Sequence, residues 1–219
     1  PRSDSSAASD VYKRQTETWE GASIWTSDAH LDSLPRQQVS AKDMEMMSAV
    51  KTPPGILAVA EWPLDLEALP RAGGLVLYLD NLADPGNVGT LIRVADWFGL
   101  HGVILSPRCA DPLSPKALHS AMGSTFHIST AVIPFAELPS DHTTNVIGLD
   151  AGGQNLFEPG AMSTPSLLVV GSESHGLSSD IKEACHAIAS IPGAGRAESL
   201  NASVAGAIAT SAFLQKGLT

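Results

Sequence analysis

The sequence predicts an α/β fold: a mostly parallel sheet with helices on both faces. Three observations lead there. Short unbroken apolar runs, Leu75–Leu79, Val103–Leu105, Val146–Leu149, Leu167–Val170 and Ala187–Ile191, have the length of strands. They lack the apolar–polar alternation of a sheet with one wet face, so both of their faces are expected to be covered. Between them lie stretches with apolar residues at helical spacing, such as Val88, Leu91, Ile92 and Ala95, and this alternation of strand and helix builds a parallel sheet.

In chain order, residues 1–18 are polar, Ser-rich and without period, and read as a disordered or non-native tail. In residues 19–62 the first clear element is a helix near 40–48. Ser40 stands three residues before Asp43 as a cap, and Met44 and Met47 are expected to face a core. The turn Lys51–Gly55 precedes Ile56–Ala60, read as a buried strand. Residues 63–73 read as a linker.

The main domain spans 74–219. Its first strand is followed by a helix from about Gly86 to Phe98, stopped by Gly99. After Val103–Leu105 comes a loop, then a short helix Lys116–Met122 with Pro115 in its first turn. Gly123–Ile128 leads toward another strand, and Phe135–Leu138 forms a helical turn. Val146–Leu149 is a strand and Asp150–Pro165 a loop-rich return. The last two strands are followed by a helix over about Ala202–Gln215, with Val204, Ile208 and Ala212 as its buried stripe.

Composition narrows the function. A chain of 219 residues that is 43% hydrophobic and 16% charged can build a core and is not disordered as a whole. No apolar run reaches the roughly 18 residues of a membrane span, so no membrane partner is expected. The opening residues lack the apolar stretch of a secretory signal. Cys109 and Cys185 form neither a disulfide framework nor a metal-ligand pattern, which points to a reducing cytoplasm and no metal site. The net charge of −10 argues against bulk nucleic-acid binding. Any RNA contact must gather few cations on one face, or double them in a dimer.

Three apolar runs end in polar, glycine-rich loops, where ligands of α/β sheets sit. The first reads Asp80-Asn81-Leu82-Ala83-Asp84-Pro85-Gly86-Asn87-Val88-Gly89, with Arg93 six residues beyond Asn87. If Asn87 sits in the entry loop, the two can face one site, and the amides near the helix start suit an anion. Taken alone, the pair reads rather as an N-cap, Asn87, and a solvated cation, Arg93. The second loop brackets Ser172, Glu173, Ser174 and His175 between Gly171 and Gly176. Glu173 is suited to proton handling or to orienting its neighbours. The third runs from Pro192 through Gly193 and Gly195 to Ser199 and Asn201, where Ser199 alone reads as a helix cap.

Together the set N-x-G-x-x-x-R, G-x-E-x-x-G-L and I-P…S-L-N-x-S-x-A resembles the three motifs of SpoU-type (TrmH-like) RNA 2′-O-methyltransferases of the SPOUT superfamily, in family order over about 75–215. The resemblance implies S-adenosylmethionine as methyl donor and a ribose 2′-OH in rRNA or tRNA as acceptor. It implies a C-terminal trefoil knot and a homodimer. It assigns catalysis to Asn87, Arg93, Glu173, Ser199 and Asn201, and cofactor binding to Leu149, Gly171, Glu173, Ile191 and Leu200. Arg93 is then expected to clamp the target phosphate and polarise the hydroxyl, while His175 occupies a variable position. The pattern Lys51-Thr52-Pro53-Pro54-Gly55-Ile56-Leu57-Ala58-Val59 resembles the end of the small α/β substrate-binding domain that many such enzymes carry. Residues 19–62 are therefore expected to be a remnant of that domain, shortened at the N-terminus.

Two rivals remain. A non-catalytic RNA-binding protein that retains the fold would keep the methyl donor unconsumed. A nucleotide-binding oxidoreductase is less well supported, because Gly193-Ala194-Gly195-Arg196-Ala197-Glu198 begins like G-x-G-x-x-G but ends in Glu, at the wrong end of the chain. No P-loop lysine follows Gly176, and no G-x-S-x-G elbow is present.

Overall fold

The structure, a computed structural model, describes residues 39–48, 52, 70, 72–158 and 162–216. The expected tail 1–18, the strand 56–60 and most of the linker lie outside them. The chain divides into two units, Pro1–Leu64 and Asp65–Thr219. In the first, α1 (Ala41–Met47) has Ser40 as N-cap. The Ser40 hydroxyl accepts from the Asp43 amide at 3.2 Å and donates to the Asp43 carboxylate at 2.6 Å. Met44 is buried, whereas Met47, expected to face a core, is exposed.

The second unit holds a six-stranded sheet in the order β3-β2-β1-β5-β4-β6. The strands are β1 (Val76–Asp80), β2 (Gly102–Leu105), β3 (Thr130–Val132), β4 (Val146–Asn155), β5 (Leu167–Gly171) and β6 (Ala187–Ser190). Every pairing is parallel, as the unbroken apolar runs require. The helices are α2 (Pro85–Trp97), α3 (Pro115–Ala121), α4 (Ser179–Ala184) and α5 (Ala202–Lys216). Short 3-10 turns occur at Ser124–Phe126 and Phe135–Glu137.

Alternate residues of one strand feed two cores. Leu77 and Leu79 join Val88, Leu91 and Ile92 of α2 and Ala209 and Phe213 of α5. Val76 and Tyr78 join Leu177 and Ile181 at α4, with Phe135 packed against them. Burial pushes the Tyr78 phenol up, the Asp80 charge adds to this, and its hydroxyl donates to the Ile133 carbonyl at 3.2 Å. The expected helices on both faces are thus present.

Two expectations are corrected. The stretch after Leu149 is not a loop from Asp150: β4 runs on to Asn155, with Gln154 and Asn155 pairing Ala189 and Ser190 beyond an irregularity in the ladder. Gly153 makes this possible, because a Cβ there would lie 2.6 Å from the Ile188 carbonyl oxygen. That glycine marks close strand contact rather than a turn. The buried stripe of α5 is also displaced. Val204 is 46% exposed and Ile208 only half-buried; Ala212 is buried as expected, and Ala202, Gly206, Ala209 and Phe213 face inward with it. A helix this rich in alanine has little contrast between its faces, and small residues win the buried one because they allow close approach.

That approach is tightest between α2 and α3. A Cβ on Gly89 would stand 2.0 Å from the Ala117 carbonyl oxygen. Gly89→Ala gains about 1 kcal/mol of helix propensity, but the clash is with backbone, which cannot rotate aside, and overpacking of this kind costs about 1–3 kcal/mol. The substitution is expected to destabilise the domain on balance, read as a lower urea midpoint; a midpoint at or above the parent's would contradict this packing.

Candidate active site

The loops of interest leave the carboxyl ends of β1, β5 and β6, with β4 between the last two in the sheet. Asp80 pairs with Gly171 across β1 and β5, and Leu149 pairs with Val170 on one side and Ala189 on the other. The loop after β5 is pinched shut. Ser172 N–H donates to the Gly176 carbonyl at 3.1 Å, and Gly176 N–H donates to the Ser172 carbonyl at 2.9 Å. Gly176 has φ +67°, and a Cβ on Gly171 would lie 2.4 Å from the Gly176 carbonyl carbon. Two glycines therefore close a five-residue loop that carries Glu173, which is exposed.

Asn87 lies inside the first turn of α2 and is buried. Its amide nitrogen donates to Glu173 Oε1, and its amide oxygen accepts from Asn201 Nδ2 at 3.0 Å. The direction of this relay is fixed at one end. Asn201 Oδ1 accepts from the Ser203 amide at 3.0 Å, the Ser203 hydroxyl at 2.6 Å and the Val204 amide at 3.3 Å. An N–H can meet only an oxygen there, so the Asn201 amide nitrogen must face Asn87. The Asn87 nitrogen must then face the carboxylate. Asn201 thus caps α5, the role expected for Ser199 from its residue type alone.

The structure therefore brings together Asn87, Glu173 and Asn201, from three separate segments of the chain. Arg93 does not join them within the chain. Because Asn87 is in the helix rather than the entry loop, six residues turn Arg93 about 120° away. It is exposed and makes no ion pair among the described residues. Ser199 is exposed, with no hydrogen bond to the described residues. Of the positions assigned to a cofactor, Leu149 and Ile191 are half-buried against the core, Gly171 ends β5, and Leu200 is 46% exposed. No backbone hydrogen bond ties residues 192–200 to other described residues. His175 is exposed and shares a hydrogen bond with the Ser174 hydroxyl at 2.7 Å.

The helix start expected to take an anion is already occupied. Asp84 caps α2, accepting from the Gly86 amide at 3.0 Å, and bonds the Lys116 ammonium. Lys116 first and then the Gly86 amide hold its carboxyl below the usual carboxylate range. Lys182 pairs with Asp150 at 2.9 Å. Asp80 was not singled out from the sequence, although a carboxylate closing an apolar run is a visible signal. It is 1% exposed. Its Oδ2 accepts from the Ser178 amide at 2.7 Å and its Oδ1 from the Asn81 side-chain amide at 2.7 Å. Among the described residues no group of three or more His, Cys, Asp or Glu is placed to hold a metal ion, and no helix is long and apolar enough to cross a membrane.

Fold and site together define a parallel-sheet domain of the α/β class, in which an amide relay at the carboxyl ends of the strands presents one carboxylate. Residues 74–211 match the SpoU rRNA Methylase family, and the chain belongs to it. The chain is 34% identical over 170 residues to a 23S rRNA (uridine(2479)-2'-O)-methyltransferase of Streptomyces viridochromogenes, covering 73% of this chain and 59% of that protein. It is 37% identical over 166 residues to an uncharacterized tRNA/rRNA methyltransferase of Mycolicibacterium paratuberculosis, covering 73% and 53%. The chain spans about half the length of the curated relatives it matches. Among solved structures, it resembles the SpoU methyltransferase AviRb from Streptomyces viridochromogenes in complex with AdoMet. The TM-score is 0.78 at 29% identity, covering 95% of this chain and 84% of that one. A putative RNA methyltransferase of the TrmH family from Porphyromonas gingivalis gives a TM-score of 0.69 at 32% identity, covering 83% and 74%.

Two outcomes are expected. Asn201→Ala should lower the unfolding free energy by about 1 kcal/mol through the lost cap, whereas Asn201→Asp, which still accepts from Ser203 and Val204, should lose less in the same denaturation assay. Burial, followed by the Asp80 charge, pushes the Cys185 thiol up to about 11, so at pH 8 only about one thiol in a thousand is thiolate. Alkylation of Cys185 should be far slower than that of a free thiol and should accelerate as pH rises towards 11.

Proposed function

We propose that this chain methylates a ribose 2′-OH in structured RNA, rRNA or tRNA, with S-adenosylmethionine as donor. The observation that carries this reading is the Asn201–Asn87–Glu173 relay, which draws three separate segments to one point at the carboxyl end of β1 and β5. The names of the family and of its relatives point the same way.

The residues present suit the donor. Leu149, Ile191 and Leu200 offer apolar surface, and the backbone of 192–200 is not committed to other described residues. A slot of that kind takes an adenine ring with its polar edge on the main chain. Gly171 ends β5 where the loop that carries Glu173 begins, and Glu173 provides a carboxylate for a cationic ligand. When bound, the sulfonium supplies an electrophilic methyl group. The protein's part is positioning, which supplies much of the rate in such a displacement. Asn87 holds one oxygen of Glu173, leaving Oε2 to accept a hydrogen bond from the ribose hydroxyl. Ser199 and Asn201 line the approach of the ribose. Arg93 clamps the neighbouring phosphate and polarises the hydroxyl.

For Arg93 to reach that site, we infer a homodimer, since α2 turns it away from Asn87 within one chain. An apolar surface supports the pairing: Phe98, Phe157, Ala207 and Ile208 line a groove of about 610 Å³ along α5, and Trp97 on α2 is 83% exposed. RNA contact gains support from charge. Lys116 and Lys182 are paired, but Arg93, Arg108 and Arg196 make no ion pair among the described residues, and unpaired guanidiniums are suited to phosphate. The same reading includes a trefoil knot, through which the segment after β6 would return to α2 and β5, and a cytoplasmic location, consistent with two free cysteines.

Two measurements test the reading. Mapping of 2′-O-methyl groups in total RNA, with and without the protein, should reveal at least one site that depends on it. Arg93→Ala should reduce transfer by about 100-fold or more while leaving S-adenosylmethionine affinity close to that of the parent. Undiminished turnover in that variant would remove Arg93 from the mechanism.

A further inference from the structure

Asp80 is the most deeply buried carboxylate beside the site, and the mechanism above gives it no role. It ends β1, and its residue partner across the ladder is Gly171, the last residue of β5. The loop that carries Glu173 begins at that glycine. Asp80 Oδ2 grips the same loop on its far side, accepting from the Ser178 amide at 2.7 Å. The near side is closed by the Ser172–Gly176 pair of hydrogen bonds. The Glu173 loop is therefore held at both ends, once by the ladder and once by this carboxylate. No cation pairs with Asp80 among the described residues. Its compensation there is the Ser178 amide and the Asn81 side chain, which donates to Oδ1 at 2.7 Å. Asn81 is fixed in turn. It has φ +56°, and its backbone amide donates to the Ser106 hydroxyl at 2.9 Å. An uncharged residue would avoid the desolvation of a buried anion. A carboxylate offers what a neutral side chain of this shape cannot: two oxygens accepting from two donors that face it from different directions.

We propose that Asp80 is a positioning residue that sets the place of the Glu173 carboxylate by anchoring the loop at Ser178. It touches neither substrate nor cofactor and acts through the loop. The proposal rests on the methyl-transfer reading for its kinetic consequence but not for its structural one. Asp80→Asn keeps the shape and leaves one acceptor for two donors, so either the Ser178 or the Asn81 bond is lost. Adding Asn81→Asp restores the pattern in mirror form. The new amide oxygen at position 80 accepts from Ser178, while its nitrogen donates to the new carboxylate at position 81. Asp tolerates the left-handed backbone there.

The experiment compares the unsubstituted chain, Asp80→Asn, and the double variant Asp80→Asn with Asn81→Asp. Hydrogen exchange over residues 172–178 is measured alongside kcat and KM for S-adenosylmethionine, on an RNA that the unsubstituted chain methylates. In Asp80→Asn, exchange over 172–178 should accelerate about tenfold while the β1 and β2 amides keep their protection. The kcat should fall on the order of 10- to 100-fold, as a small misplacement of a reacting group allows, with KM changed much less. The double variant should recover both. Parent-like exchange and kcat in Asp80→Asn would overturn the proposal. So would a double variant no better than the single one, which would mean that charge at position 80, not the grip on Ser178, is what counts. Exchange accelerating equally across the whole sheet would reduce Asp80 to a general stabiliser and overturn it too. If the unsubstituted chain transfers no methyl group to any RNA, the functional reading fails on its own, and the exchange data still decide the role of Asp80.

Discussion

Two side-chain amides, lined up head to tail, hold three distant segments in register, and the start of α5 and the Glu173 carboxylate agree on which way they point. The Ser203 and Val204 amides at that helix start need an acceptor, and the Asn201 oxygen meets them. This leaves the Asn201 nitrogen for Asn87 and the Asn87 nitrogen for Glu173. The usual two-fold ambiguity of an amide is removed at one end by helix capping and at the other by a carboxylate that can only accept. A local requirement of secondary structure thereby orients a carboxylate more than ten residues away along any path of the chain.

The sheet makes this arrangement stiff. Its central strands are covered on both faces, with Leu77 and Leu79 packed to one side and Val76 and Tyr78 to the other. The loops start from strand ends that have little freedom to shift, because interiors of this density transmit displacement instead of absorbing it. Glycines at the edges, Gly89 against Ala117 and Gly171 against Gly176, bring backbone to distances that no side chain would permit. The rigid frame and the close approaches together set the spacing between the loops.

Much of the fold was legible in the sequence, because parallel strands buried on both faces are written as unbroken apolar runs and α2 carries a strong helical period. The second half of β4 was not. Asp150, Gly152 and Gly153 have the composition of a turn, and only the contact of Gly153 with the Ile188–Ala189 backbone explains them. The inward face of α5 was also misjudged, since alanine and glycine hardly register on a pattern that rewards large apolar residues. At the site, the motif spacing marked Asn87, Glu173 and Asn201. It could not foresee that Asn87 sits within the helix, and that one-turn difference sends Arg93 to another side. Asp80 and Asp84 were hidden for a different reason: a carboxylate bound to backbone amides looks, in sequence, like any loop acid.

The order of the relay along the chain has a consequence for biosynthesis. Asn87 is made first, Glu173 some 86 positions later and Asn201 last. On a ribosome, the strands β1 to β5 are available to assemble before α5 exists. Until that helix docks, the Asn87 amide can meet Glu173 only through its nitrogen, since a carboxylate accepts and does not donate, and its oxygen still lacks the Asn201 donor. A nascent chain therefore holds two members of the relay without the third, and the arrival of one late helix supplies it.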